Sequence, residues 1–207
     1  MESVIILNLL KVNNNFNIMT FNFDNTKKCI LEKDDKSSIG EVDKPIKDLC
    51  DKINSNKDYF TTSSCSGRIA LIIEDGRKAP NLILFRTHKL TNFNELKKEI
   101  KKASENKEST IYLKQEPCLV VVSSRNKEKQ MKLFSEARNN GWKKSGILSI
   151  DRKLLIELMS TEVISFPVIN RGEILIGDEL LNMFVERAND NLNKGWKKID
   201  KLKDFID

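Results

Sequence analysis

The apolar residues of this chain fall into short, strand-length runs that follow one another in clusters, with helical repeats between the clusters. A helix, three strands and a helix occur in that order twice, around Ser66-Gly67 and again around Ser145-Gly146. Each time a proline, Pro80 or Pro167, leads into or lies within the third strand. Strands grouped in this way point to an α+β fold, a mixed, largely antiparallel sheet that curls, with helices packed outside it. The recurrence leaves room for an internal duplication. No strand followed by GxGxxG opens a helix, so the usual dinucleotide-binding topology is not indicated.

Helical spacing of apolar residues predicts helices over Phe21 to Lys33, Asp43 to Asn54, Asn92 to Ser104 and Lys127 to Asn140. Pro45 suits the first turn of the second, and Gly141 closes the fourth with a left-handed cap. Asp178 is expected to cap a long helix over residues 178–204. Strands are expected over Tyr59 to Ser64, Arg68 to Ile73, Leu82 to Thr87, Thr110 to Leu113, Cys118 to Ser123, Gly146 to Ile150, Lys153 to Met159 and Val163 to Ile169. The valines of Cys118 to Ser123 predict burial on both faces. Trp142 and Trp196 are expected to complete a core, and the lysine-rich runs to be solvated helix faces.

Within 207 residues one domain with a long terminal helix is expected from residue 19 to 207, preceded by an Asn-rich, disordered extension over residues 1–18. Lysine and arginine exceed aspartate and glutamate by 36 to 30, for a formal charge of +6, which favours an anionic partner without requiring one. Cys29, Cys50, Cys65 and Cys118 include no CxxC pair, which argues against a zinc knuckle or a disulfide scaffold and for a reducing, cytoplasmic setting. No metal is expected. The apolar run Val4 to Leu10 lacks the flanks of a signal peptide and is too short to span a bilayer.

The most unusual local composition is Thr61-Thr62-Ser63-Ser64-Cys65-Ser66-Gly67-Arg68, hydroxyls and a thiol between two apolar runs. Such a run does not help a core. Hydroxyls and backbone amides at a Gly-containing turn can cradle an anion, and the adjacent arginine can grip a carboxylate or phosphate. The same residue types also suit a plain hairpin turn whose serines bond their own backbone, and on composition alone that is the simpler reading.

The stretch Asp58-Tyr59-Phe60-Thr61-Thr62-Ser63-Ser64-Cys65-Ser66-Gly67-Arg68-Ile69 resembles the signature of the wybutosine-synthesising tRNA methyltransferase family. The helix Asp43 to Asn54 precedes it. Glu116-Pro117, then Gly141-Trp142-Lys143-Lys144-Ser145-Gly146-Ile147, then Ser160-Thr161 and Pro167 follow in the family's order. The chain departs from the family pattern at Ile83, Val121 and Met159.

The resemblance implies S-adenosylmethionine-dependent methylation of ring nitrogen N4 in the tricyclic wyosine-type base beside the anticodon of phenylalanine tRNA, on a fold unlike the Rossmann-type methyltransferases. On that footing Ser63, Ser64, Cys65, Ser66, Gly67 and Arg68 are expected to hold the cofactor, with Thr61, Ser145 and Gly146 towards the substrate. His88 and Glu116 are the expected catalytic residues, His88 as a proton acceptor near neutral pH. The competing readings are a non-catalytic RNA-binding domain whose serine turn holds phosphate, and an interaction protein that pairs through its long C-terminal helix.

Overall fold

The computed structural model describes residues 22–32, 42–74, 82–151 and 153–206. The extension expected over residues 1–18 and the turn at Asp75-Gly76 with Pro80 lie outside these. The helices are α1 (Phe23–Leu31), α2 (Lys44–Ser55), α3 (Phe93–Ala103), α4 (Lys127–Asn139) and α5 (Asp178–Lys203). Asparagine starts three of them. The side chains of Asn22, Asn92 and Asn126 accept from the amides of Asn25, Glu95 and Lys129, which satisfies donors that have no partner in a first turn. Gly141 stops α4 at φ 95°, the left-handed geometry expected of it. At α5 the capping position belongs to Gly177, and Asp178 sits inside the first turn instead, paired with Lys97.

The strands are β1 (Tyr59–Cys65), β2 (Arg68–Ile73), β3 (Ile83–Thr87), β4 (Thr110–Glu116), β5 (Leu119–Ser124), β6 (Gly146–Ser149), β7 (Leu154–Met159), β8 (Ile164–Asn170) and β9 (Glu173–Ile174). The short β9 follows a tight Arg171-Gly172 turn in which both residues have positive φ, the twist a two-residue hairpin needs. Described pairings are all antiparallel and build two sheets, β1-β5-β7-β6 and β3-β2-β4-β8-β9. The helix–strand–helix runs divide differently between them: β1 lies in the four-stranded sheet with β2 and β3 in the other, whereas β6 and β7 share the four-stranded sheet and β8 lies in the other.

Three chain segments pass directly from one sheet to the other: β1 into β2 at Ser66-Gly67, β4 into β5 at Pro117-Cys118, and β7 into β8 at Ser160 to Val163. Because β1 pairs with β5 and β2 with β4, while β5 pairs with β7 and β4 with β8, these crossings lie side by side. They form one crease across a continuous curled surface. Ser66-Gly67 is therefore a corner between sheets and not a hairpin.

The long α5 runs behind that crease and touches each crossing. Trp196 Nε1 donates to Ser66 O at 3.0 Å, Cys118 packs on Gly195, and Lys198 pairs with Glu162. Its first half (Leu181, Phe184, Val185, Ala188, Leu192) packs with α3 on the five-stranded sheet. Its last turns (Ile199, Leu202) join α2 and α4 on the four-stranded sheet. Trp142 is fully buried, as a core tryptophan should be. Helices cover the face of β5 that carries Val120 and Val122; on the other face Ser123, whose cross-strand partner Phe60 packs on Phe23 of α1, is buried while Leu119 and Val121 stay partly exposed, so burial on both faces holds only at one end of the strand. Among the described residues no helix is long and apolar enough to cross a membrane, and all four cysteines are free.

Candidate active site at the crease

On the side of the crease away from α5 lies a cavity of about 570 Å³, within the range that holds small ligands. Ser63, Ser64, Cys65, Arg68, Lys114, Glu116, Pro117, Leu119, Lys144, Met159, Val163, Ile164 and Ser165 line it. The polar signature thus reaches a wall because β1 ends and β2 begins at the corner. Leu119, Met159 and Ile164 add apolar wall to the same cavity. A second cavity of about 430 Å³, between the end of α2 and α4, is lined by Asp58 and Tyr59 from the start of the signature but by none of its hydroxyl run.

Arg68 and Glu116 face each other across the β2–β4 ladder, and Arg68 Nε donates to Glu116 Oε2. Lys114, two residues before Glu116 on the same strand face, is held by Glu74.

Behind the cavity wall stands a second polar group, built on Asp43. Asp43 precedes α2 but makes no capping bond to it. Its Oδ2 instead accepts from the Ser66 amide at 2.9 Å, from Ser66 Oγ at 3.2 Å and from His88 Nδ1 at 3.0 Å. His88 Nδ1 also lies 3.1 Å from Gly67 O and 3.8 Å from Cys65 Sγ. The Asp43 carboxylate, and secondarily Cys65, raise the imidazole to a pKa of about 9 against the effect of burial. Burial alone would raise the Asp43 carboxyl; bonds from His88 and the Ser66 amide outweigh it and leave the carboxyl below its usual range. His88 is therefore a protonated anchor at neutral pH, not the proton acceptor read from sequence. Asp43, Cys65 and His88 are the described trio whose donor atoms lie within 4.8 Å of one another, and the proton on Nδ1 already bridges two of them.

Of the residues singled out in the sequence, Ser63, Ser64, Cys65, Arg68 and Glu116 are brought together at the cavity. Ser66 is 1% exposed and spent on Asp43, and Gly67 supplies the corner at φ 89°. Thr61 turns to Asn54 Oδ1 through both its amide and its hydroxyl. Ser145 is buried, donating to Trp142 O and accepting from the Met159 amide, so it braces the loop before β6 and does not line the cavity; neither does Gly146. Lys144 beside it does. Sequence reading missed Lys114 and Lys144, although Lys114 shares the pleat of Glu116 and Lys144 stands in the quoted Gly141 to Ile147 motif. It also missed Asp43, whose helix-start position concealed its role.

The model of the family described as methyltransferase TYW3 matches residues 25–207. The chain belongs to that family. A Pyrococcus horikoshii protein named tRNA(Phe) 7-((3-amino-3-carboxypropyl)-4-demethylwyosine(37)-N(4))-methyltransferase 1 is 35% identical over 191 residues, covering 90% of this chain and 96% of its own. An Archaeoglobus fulgidus protein named for the same N(4)-methyl transfer is 33% identical over 169 residues, covering 81% of this chain and 84% of its own. The solved structure of the PH1069 protein from P. horikoshii superposes with a TM-score of 0.78 at 34% identity, covering 91% of this chain and 97% of the other. The TYW3 fold thus extends over the whole crease, and the chain is a methyltransferase without a parallel Rossmann sheet among its described strands.

Proposed function

We propose that this chain transfers a methyl group from S-adenosylmethionine to ring nitrogen N4 of the tricyclic wyosine-type base at position 37 of phenylalanine tRNA, next to the anticodon. The family and the printed activities of relatives at about one-third identity support the reaction class. The observation that carries the site is the convergence of Ser63, Ser64, Cys65, Arg68 and Glu116 on one cavity of about 570 Å³ at the crease.

The residues present fit the donor: a guanidinium and hydroxyls for its carboxylate, an apolar wall for its nucleoside, and a volume in the small-ligand range. When bound, the donor supplies an electrophilic methyl carbon on a sulfonium. The chain's part is to bind and orient, which in well-aligned systems lowers a barrier by about 7–11 kcal/mol without a strong base. Ser63 offers a hydroxyl donor, and Glu116 fixes the guanidinium plane of Arg68. Asp43 and the protonated His88 hold the Ser66-Gly67 corner from behind. Lys144 supplies positive charge at the cavity for tRNA phosphate.

A non-catalytic phosphate cradle fits less well, because Glu116 beside Arg68 offsets the positive charge that would hold a backbone phosphate. Calorimetry should show saturable binding of S-adenosylmethionine, competed by S-adenosylhomocysteine. Mass spectrometry of phenylalanine tRNA from cells lacking this protein should show a tricyclic base one methyl short. No donor binding together with an unchanged base would refute the reading.

A further inference from the structure

We propose that Arg68 and Glu116 together form a receptor for an α-amino-acid head group, Arg68 taking its carboxylate and Glu116 its ammonium. The inference rests on the methyl-transfer reading and specifies what its polar wall recognises.

The pair sits at the crease as direct cross-strand neighbours, and both side chains line the cavity while only 26% and 30% exposed. Their mutual contact uses Arg68 Nε and Glu116 Oε2. Among the described residues that contact leaves the two amino nitrogens of the guanidinium, and the second carboxylate oxygen, as the atoms a ligand can engage. Opposite charges side by side are the complement of a zwitterion. A carboxylate alone would meet Glu116 as a like charge, and an ammonium alone would meet Arg68; a group carrying both satisfies each.

Of the two other cations at the cavity, Lys114 is held by Glu74, and Lys144 belongs to the loop bonded to Met159 on the four-stranded sheet. Ser63 stands on the adjoining wall with a hydroxyl for the carboxylate. Leu119, Met159 and Ile164 present apolar surface in the same cavity for whatever ring system bears the group.

Two molecules in the proposed reaction carry this head group. One is the methyl donor, and the other is the tRNA base, if it bears the 3-amino-3-carboxypropyl arm in the relatives' printed substrate. The shared chemistry is assigned to the pair, and paired probes separate the sources. For the donor, S-adenosylhomocysteine is compared with 5′-methylthioadenosine, a nucleoside thioether without the amino-acid group. For the substrate, phenylalanine tRNA whose tricyclic base carries the arm is compared with the same tRNA lacking it.

Wild-type protein should favour the amino-acid-bearing member of at least one pair by about 10- to 100-fold, the range expected for hydrogen bonds to charged groups. In Glu116→Gln and in Arg68→Lys that same preference should fall to about threefold or less, while circular dichroism retains the folded spectrum. The wild-type comparison needs no variant and stands even if one fails to fold. Tight binding without preference in either pair, or a preference that survives in both folded variants, overturns the receptor and leaves methyl transfer intact. Absence of binding to donor analogues and tRNA alike overturns both.

Discussion

Asp43 and His88 give the corner at Ser66-Gly67 a dependence on pH with a definite sign. The folded His88 imidazole titrates at about 9, against 6.5 for the free group. Its contribution to stability is thus complete below about pH 6.5 and lost as pH rises through about 9. The Asp43 carboxyl is shifted the other way, so its contribution is present above 3.8 and lost as pH falls through its depressed value. In urea denaturation His88→Gln should therefore cost on the order of 2 kcal/mol near pH 6, allowing for solvent screening, and converge with wild type above pH 9. A gap unchanged at pH 10 would show that the imidazole acts by packing alone. Gly67 sets the same corner through its backbone. A Cβ there would lie 3.0 Å from Leu192 Cδ2 and 3.2 Å from Glu116 O, at a φ of 89° that L-residues resist. Gly67→Ala should lower the unfolding free energy by about 1–3 kcal/mol. Most of the cavity's polar wall was legible in the hydroxyl run, because so many small polar residues between apolar strands have no use in a core. Asp43 was not, since a carboxylate before a helix reads as a cap and its real partner, Ser66, lies 23 residues away.

At the scale of elements, the strands and helices were legible to within a few residues because turn glycines, asparagine caps and pleat alternation are local signals. The crease was not. Whether Ser66-Gly67 turns a strand back on itself or passes it to another sheet depends on which strand pairs with β1, and β5 is more than fifty residues distant. The same holds for β5, whose valines predicted cover on both faces when the second face is closed at Ser123 and stays partly open at Leu119 and Val121. The helix α5 shows how close packing at the crease is regulated by side-chain size. Gly195 lies inside the helix opposite Cys118, and a Cβ added there would stand 3.5 Å from Sγ, an ordinary contact. Gly195→Ala should raise the thermal midpoint by relieving the helix cost of glycine, about 0.5–1 kcal/mol. A fall would mean that the Cys118 contact is tighter than the distance implies.

For the whole molecule, the two hydrophobic clusters share α5, and Trp196 packs against both. Neither half can lose its packing without stripping the helix from the other. Unfolding followed by tryptophan fluorescence, from Trp142 and Trp196, should therefore coincide with unfolding followed by far-ultraviolet circular dichroism. Two separated midpoints would show the clusters to be independent.

All the residues around the cavity except Pro117, Lys144 and Val163 are fastened into hydrogen-bonded ladders. Such a frame does not breathe open for a bulky guest. On the proposed function the adjustment should fall to the nucleic acid, whose modified purine is then expected to swing out from between its neighbours towards a rigid host. Turnover by an enzyme of this kind should be quickest on anticodon loops whose thirty-seventh nucleotide is already loosely stacked.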